Sequence, residues 1–307
     1  MNVLIIGIGS IALKHIDAIR KITVNAVIYA LRSKPNANIH QEVINIYDLD
    51  SCNINFDFAI ISNPTNLHFK FIEILIKKGI NIFIEKPPVN SLQNYNKLLK
   101  YSLDYKVINY VACNLRFHPC LQFLKKEMKT NTRRINEINV YCGSFLPDWR
   151  PMQDFKKTYS AIAEMGGGVH LDLYHELDYT TWIFGIPNSS HSIFRNVSTL
   201  KIDSIDYANY LLEYDSFAAN IVLNYYRKDP KRILEIIFED ETWTVDLINN
   251  KIKGRDESII FEIPEFSIIN TYHDQMRYFI DHIRLKKNTM NSIEEAYEVL
   301  KICLKNE

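Results

Sequence analysis

With 307 residues, 47% of them hydrophobic and 23% charged, the chain has an ordinary globular composition and enough length to bury two cores. Lys plus Arg and Asp plus Glu both number 36, so the formal net charge is zero. No basic excess points to nucleic acid or to an anionic membrane surface, and any anionic ligand must be met by a local arrangement of donors.

The five cysteines, Cys52, Cys113, Cys120, Cys142 and Cys303, are odd in number, and no two have the close spacing of a zinc or thioredoxin-type motif. They are expected as reduced thiols, with no metal site. The run Met1-Asn2-Val3-Leu4-Ile5-Ile6 has no basic side chain, and Gly7 breaks it far short of a signal or membrane segment. A cytoplasmic protein is the expectation.

In chain order, residues 3–6 form an apolar run that predicts a strand buried on both faces, the opening of a parallel sheet. Over 11–22 the apolar positions Ile11, Leu13, Ile16, Ile19 and Ile22 fall largely at helical spacing, and 26–30 reads as a second strand. Residues 58–62, 69–78, 81–84, 92–103 and 107–112 continue the alternation of strand and helix. Right-handed crossovers turn such alternation into a doubly wound parallel sheet.

After about Leu115 the texture changes. Residues 135–142, 208–214, 218–225, 233–239 and 242–247 read as strands around one interposed helix over 168–184, which predicts a large, mostly antiparallel, open-faced sheet with helices on one face. Residues 271–304 read as two helices, with Met276, Phe279, Ile280 and Ile283 on one stripe of the first and Ser292 as N-cap of the second. The fold class is therefore α/β: a Rossmann-type parallel sheet over 1–118, then an α+β domain over 119–307 whose last helices pack back on the first.

Chemistry enters at Gly7-Ile8-Gly9-Ser10-Ile11-Ala12, directly after the first strand and at the start of the first helix. That context makes it a dinucleotide fingerprint. Gly7 permits the tight turn, Gly9 lets backbone approach a pyrophosphate, and Ala12 lets helix pack on strand. The helix N-terminus, through the N–H groups of Ser10 and Ile11, offers donors to phosphate.

At the end of the second strand, where an acid would bond a ribose 2′-hydroxyl, stands Tyr29-Ala30-Leu31-Arg32-Ser33-Lys34. Arg32 and Ser33, helped by Lys34, suit a 2′-phosphate, so NADP is favoured over NAD, with solvated loop residues as the alternative.

Glu85-Lys86-Pro87-Pro88 closes a buried strand at the carboxyl edge of the sheet, where ligands of open α/β folds bind. Lys86 there could polarise a substrate oxygen; a surface pair with Glu85 is the other reading. Further on, Gly166-Gly167-Gly168 lets backbone approach a ligand or another segment. Asp172 and His175 follow, three apart and so on one face of a continuous helix, with His175 as the proton carrier. His170 reads as a packing histidine, and Glu176 and Asp178 as helix polarity or salt bridges. Trp149-Arg150 could stack on a sugar or base and hold a carboxylate or phosphate, or simply pack its own loop.

Together these segments resemble the Gfo/Idh/MocA family, the glucose–fructose oxidoreductase and inositol dehydrogenase group, over nearly the whole chain. The matching pieces are the glycine motif with His15, Ser62-Asn63-Pro64-Thr65 with His68, Gly79 before Glu85-Lys86-Pro87, Asn114-Leu115-Arg116-Phe117-His118-Pro119, and the triple glycine with Asp172 and His175.

The resemblance implies a nicotinamide dinucleotide on the first domain, and Lys86, Asp172 and His175 around the reacting carbon. Ser62, Asn63, Pro64 and His68 would lie along the cofactor, Glu85 by the nicotinamide ribose, Asn114 by the ring, and Arg116 would face the site. Many members place one more residue between the aspartate and the histidine. Residues 146–151 through Tyr159, the run from Asp172 to Tyr179, and Tyr225-Tyr226-Arg227 resemble a branch associated with sialic-acid-like and surface-polysaccharide sugars.

The expectation is thus a sugar or nucleotide-sugar dehydrogenase, with Trp149, Arg150 and Tyr159 on the substrate and an exposed sheet face suited to a dimer or tetramer. A redox-assisted epimerase or glycosidase that recycles its NAD(P), and a dinucleotide sensor without chemistry, are the alternatives.

Overall fold

The N-terminal apolar run becomes β1 (Asn2–Ile6), in which Val3, Leu4 and Ile5 lose all exposure. With no polar side chain over residues 3–6 to satisfy, it can sit in the middle of a sheet covered on both faces. It leads through the glycine turn into α1 (Ser10–Ile22), then β2 (Val27–Leu31), β3 (Val43–Ile46), β4 (Phe58–Ile61), α2 (His68–Lys77), β5 (Asn81–Ile84), α3 (Tyr95–Tyr105) and β6 (Asn109–Val111).

The six strands are parallel in the order β3-β2-β1-β4-β5-β6. This is the doubly wound sheet expected, and the chain's order reverses between β1 and β4, where Gly7 and Asn63 lie. The short β3 was not foreseen: Asn45 interrupts its apolar pattern.

The computed structural model describes residues 1–33, 40, 42–93 and 95–304. It divides into two units, Met1–Asn114 with Ile268–Tyr297, and Leu115–Ser267 with the residues from Glu298 on.

The second unit begins with α4 (Pro119–Met128), which has Pro at its first position and His118 as N-cap. Then come β7 (Ile135–Phe145), α5 (Val169–Asp172), α6 (His175–Phe184), β8 (Ser189–Arg195), β9 (Tyr207–Glu213), β10 (Ala218–Asn224), β11 (Tyr226–Phe238), β12 (Thr242–Asp246), β13 (Lys251–Lys253) and β14 (Ile259–Glu262). They form an eight-stranded sheet, order β14-β13-β12-β11-β7-β10-β9-β8. Every neighbouring pair is antiparallel except β7 with β10.

The single helix expected over 168–184 is in fact two. The backbone leaves helical values at Leu173 (ψ 35°) and the second helix restarts at His175. Strands β8, β13 and β14 escaped the sequence reading because they are short or half-exposed and carry little apolar alternation.

The chain ends in α7 (Ile269–Leu285) and α8 (Ile293–Cys303). In the first unit Phe279 of α7 is fully buried, edge-on to Phe58 (5.3 Å) and Phe83 (5.5 Å). Ser292 Oγ accepts from Glu295 N (3.4 Å), in keeping with an N-cap. In the second unit Tyr210 Oη donates to the Cys303 carbonyl (3.1 Å). Among the described residues no helix is long and apolar enough to cross a membrane.

Candidate functional site

In the first unit the strand-to-helix turn is shaped by glycine for two separate reasons. Gly7 has φ 91°, and a Cβ there would stand 2.5 Å from the Asn63 backbone, so any side chain would both strain the turn and push the neighbouring segment away. Gly9 is the uncapped N-terminus of α1, where a Cβ would meet nothing within 4 Å. The first turn of α1 holds no acid, so its unsatisfied N–H groups face open space with their dipole unopposed. Ala12 is fully buried, as close packing of helix on strand requires.

A cavity of about 770 Å³ adjoins this turn, lined among others by Gly7, Arg32, Ser33, Asn63, Pro64 and Lys70. Two of these half-buried side chains hold buried atoms without a hydrogen bond: Arg32 at Nη1, and Asn63 at both amide atoms. Orphaned donors and acceptors are costly unless a ligand or water meets them. Together with the open helix end they fit the phosphates and ribose of a dinucleotide. Lys34, expected to assist Arg32, lies outside the described residues.

Other residues expected along the cofactor hold the cradle together. Ser62 Oγ donates to the Gly7 carbonyl (2.8 Å). His68 is buried, with Nε2 2.8 Å from the Asn63 carbonyl and Nδ1 3.2 and 3.3 Å from those of Pro87 and Pro88. Burial holds its imidazole below its ordinary pKa, outweighing the carbonyls and the Glu85 charge. His68 thus ties the Asn63 turn to the loop after β5.

At that loop Glu85 is buried, 2.6 Å from Nε2 of the fully buried His15. Burial would raise its pKa, but the His15 hydrogen bond, with the charges of His15, Lys86 and His68, prevails and leaves it below the ordinary value. Lys86 is half-buried, and the peptide to Pro87 is cis. Asn114 is buried, donating to Thr271 Oγ1 of α7 at 2.7 Å.

In the second unit the triple glycine serves chain packing. A Cβ on Gly167 would meet the Tyr159 carbonyl at 2.1 Å, and Gly168, at φ 130°, stands against the His170 ring. His170 is a packing residue: its ring lies 5.0 Å from Phe194, and burial lowers its pKa to about 4.

Asp172 is buried, and each carboxylate oxygen accepts a phenolic hydrogen bond, Oδ1 from Tyr159 and Oδ2 from Tyr225 at 2.5 Å. Trp149 meets Tyr225 edge-on at 5.4 Å, and the Arg150 guanidinium lies 5.7 Å over the Tyr159 ring. Four residues singled out from sequence, Trp149, Arg150, Tyr159 and Asp172, therefore share one cluster. Tyr225, its fifth member, was quoted only within a motif. The signal that could have found it is its place at the end of an apolar strand, where a buried tyrosine needs a partner for its hydroxyl.

The common helical face assigned to Asp172 and His175 does not exist, because α5 ends at Asp172 and α6 restarts at His175. Each short helix is pinned to different buried partners: Asp172 to the tyrosines, Glu176 to Arg232 Nε (2.6 Å), and Asp178 to Arg116 Nη2 (2.6 Å) and Nε (3.0 Å). Arg116, expected to face a substrate, is instead 3% exposed and spent on this fully buried carboxylate. His175 is the half-buried member of a run in which Asp172, Glu176 and Asp178 are buried. Among the described residues no group of three or more His, Cys, Asp or Glu could hold a metal ion.

Residues 1–112 match the Gfo/Idh/MocA family model, described as an oxidoreductase family with an NAD-binding Rossmann fold. The UDP-N-acetylglucosamine 3-dehydrogenase of Acidithiobacillus ferrooxidans is 20% identical over 251 residues, 81% of this chain and 74% of that enzyme. Its solved structure superposes with TM-score 0.80 at 18% identity, covering 99% of this chain and 96% of that one. The WlbA dehydrogenase of Bordetella pertussis, solved with NADH and UDP-GlcNAcA, gives TM-score 0.82 at 18% identity, covering 99% and 95%. At such identities the structures attest the fold. What the family model shows is that residues 1–112 carry the NAD-binding Rossmann fold of the Gfo/Idh/MocA oxidoreductase family.

Proposed function

We propose that the chain is an NAD(P)-dependent dehydrogenase acting on one carbinol carbon of a nucleotide-activated sugar, of the kind built into surface polysaccharides or sialic-acid-like sugars. The observation that carries the oxidoreductase reading is the cradle of the first unit, where orphaned Arg32 and Asn63 atoms line a cavity beside an open helix N-terminus. The sugar class is supported by the relatives, one named for UDP-N-acetylglucosamine and one solved with UDP-GlcNAcA.

Gly7, Gly9, Ser10 and Ile11 would hold the pyrophosphate through backbone N–H groups. Arg32 and Ser33 would take a 2′-phosphate, which favours NADP over NAD. Glu85, fixed by His15, would serve the nicotinamide ribose, and Asn114 would stand near the ring. When bound, the nicotinamide accepts or supplies the hydride.

For oxidation, the substrate gives up a hydride with its electron pair and a hydroxyl proton, becoming a ketone. Lys86 donates to the reacting oxygen and stabilises its developing charge. His175 takes the proton, and returns it when the reaction runs as a reduction. Asp172 orients the substrate, while Trp149 and Arg150 offer a ring to stack on and a cation for the diphosphate.

The test follows reduced-nicotinamide absorbance with NADP or NAD and a panel of UDP-sugars, free sugars and inositols. Turnover of a UDP-sugar, faster than that of the free sugar, is expected. Turnover of no panel member, in either direction, would overturn the proposal. Turnover without added dinucleotide, by protein that retains its own, would move the reading to a redox-assisted reaction.

A further inference from the structure

The carboxylate of Asp172 receives two phenolic hydrogens from opposite parts of the second unit. Tyr159 comes from the loop that follows β7, and Tyr225 from the junction of β10 and β11. Two O–H donors, one on each oxygen, fix the plane of a carboxylate as a single bond cannot. Burial first, and then the neighbouring Asp172 charge, push both phenols well above their ordinary pKa. They therefore remain protonated donors throughout the working range.

Each tyrosine also carries one residue of the exposed loop: Trp149 stands edge-on to Tyr225, and Arg150 lies over Tyr159. Trp149 is fixed further by Nε1 donating to Ser144 Oγ at 2.9 Å. One end of this assembly is a buried anion, the other a half-exposed ring and guanidinium.

We propose that Tyr159 and Tyr225 are positioning residues for the reaction, holding the Asp172 carboxylate as a fixed anion and tying to it the loop that bears Trp149 and Arg150. The proposal rests on the dehydrogenase reading above. An anion whose oxygens already accept phenolic protons is an orienting acceptor for a substrate hydroxyl, and the proton exchanged in the reaction falls to His175. Binding energy gained where Trp149 and Arg150 meet the remote part of a substrate then reaches the reacting centre through two rings and one carboxylate.

The experiment compares wild type with Tyr225→Phe, Tyr159→Phe, Asp172→Asn and the Asp172→Asn/Tyr225→Phe double variant, on whichever UDP-sugar wild type turns over. Removing one phenolic hydroxyl should lower kcat about tenfold, with the KM for dinucleotide within about twofold of wild type. In the double variant, Tyr225→Phe should add nothing to the loss caused by Asp172→Asn, because both remove the same fixed anion. Tyr159 is partly exposed, so its Phe variant keeps the test open if loss of the fully buried Tyr225 hydroxyl impairs folding.

Wild-type kcat in both tyrosine variants overturns the positioning role. So does a double variant in which the two losses multiply, since a merely structural hydroxyl would act independently of Asp172. A wild type inert toward every alcohol and ketone overturns the dehydrogenase reading and this role with it, an outcome distinct from an active wild type with indifferent tyrosines.

Discussion

In the first unit the polar atoms around the cavity are left for something else to satisfy: Arg32 Nη1 and the Asn63 amide are buried without partners, and α1 begins on an uncapped glycine. In the second unit each buried carboxylate of the 172–178 run has partners from within the unit, Asp172 two phenols, Asp178 the Arg116 guanidinium and Glu176 that of Arg232 at Oε1, with Oε2 alone left over. The first arrangement gains its missing hydrogen bonds from a ligand. The second is paid for during folding, so its charges stand ready with little reorganisation left when the reaction occurs. Mutations of the unpartnered cavity residues should therefore cost affinity, and mutations of the internally paired groups stability or rate.

The largest expected effect breaks a buried pair. Arg116→Ala leaves Asp178, whose side chain has no exposure, without its cation. It should cost about 3–5 kcal/mol in urea unfolding at neutral pH, whereas replacing both partners by apolar residues of similar volume should cost far less. A loss for Arg116→Ala below about 1 kcal/mol would mean that the second unit is not internally paired in the sense drawn here.

Next comes an acid effect to which the second unit contributes two histidines. Burial holds His170 and His118 at about 4 in the folded chain, against 6.5 unfolded. Between those values the unfolded chain binds protons that the folded chain refuses, so stability is full above about 6.5 and falls as pH drops toward about 4. A gap of that size corresponds to ~3 kcal/mol for each histidine. Urea unfolding across this window should show the fall, and His170→Phe should flatten it by its share; an unchanged slope would show that His170 titrates in the folded chain as it does unfolded.

The same contrast governs what could be read from sequence. The cradle was legible because its logic is local: strand, Gly7, Gly9 and helix follow one another within a few residues, and steric need alone selects glycine at position 7. The satisfied groups of the second unit were not, because their partners are remote. Arg116 and Asp178 stand 62 positions apart, Tyr225 and Asp172 53 apart. No periodicity links such residues, so Arg116 read as a ligand residue and Tyr225 as part of a motif. The Asp172 to His175 spacing misled for a related reason. Helical geometry was assumed to run on through Leu173, but tertiary partners that pull Asp172 one way and Glu176 and Asp178 another outweigh local propensity there.

A change of rate without loss of affinity should come from the groups placed in the chemistry. Lys86→Ala and His175→Ala should each lower turnover about a hundredfold, equivalent to ~2.7 kcal/mol in the barrier, while dinucleotide binding measured by nicotinamide fluorescence stays within about threefold. Near wild-type turnover in both would remove Lys86 and His175 from the reaction and leave the second unit's ordered charges without a catalytic purpose.

The smallest effect sharpens the comparison most, because it asks whether an orphaned atom reports a missing ligand. Arg32 lines the cavity with Nη1 buried and unpartnered, so in the free protein its guanidinium carries a desolvation cost that only a bound anion offsets. Arg32→Ala removes that cost along with the cation. Stability should therefore stay within about 0.5 kcal/mol of wild type, in contrast to Arg116→Ala. Affinity for NADPH should fall about tenfold, ~1.4 kcal/mol, as one charge-assisted contact to the 2′-phosphate is lost. NADH has no such phosphate, and its affinity should hardly move. Equal losses for the two dinucleotides would place Arg32 against a group they share and withdraw the preference for NADP, while leaving intact the idea that the first unit keeps its unsatisfied atoms for a ligand.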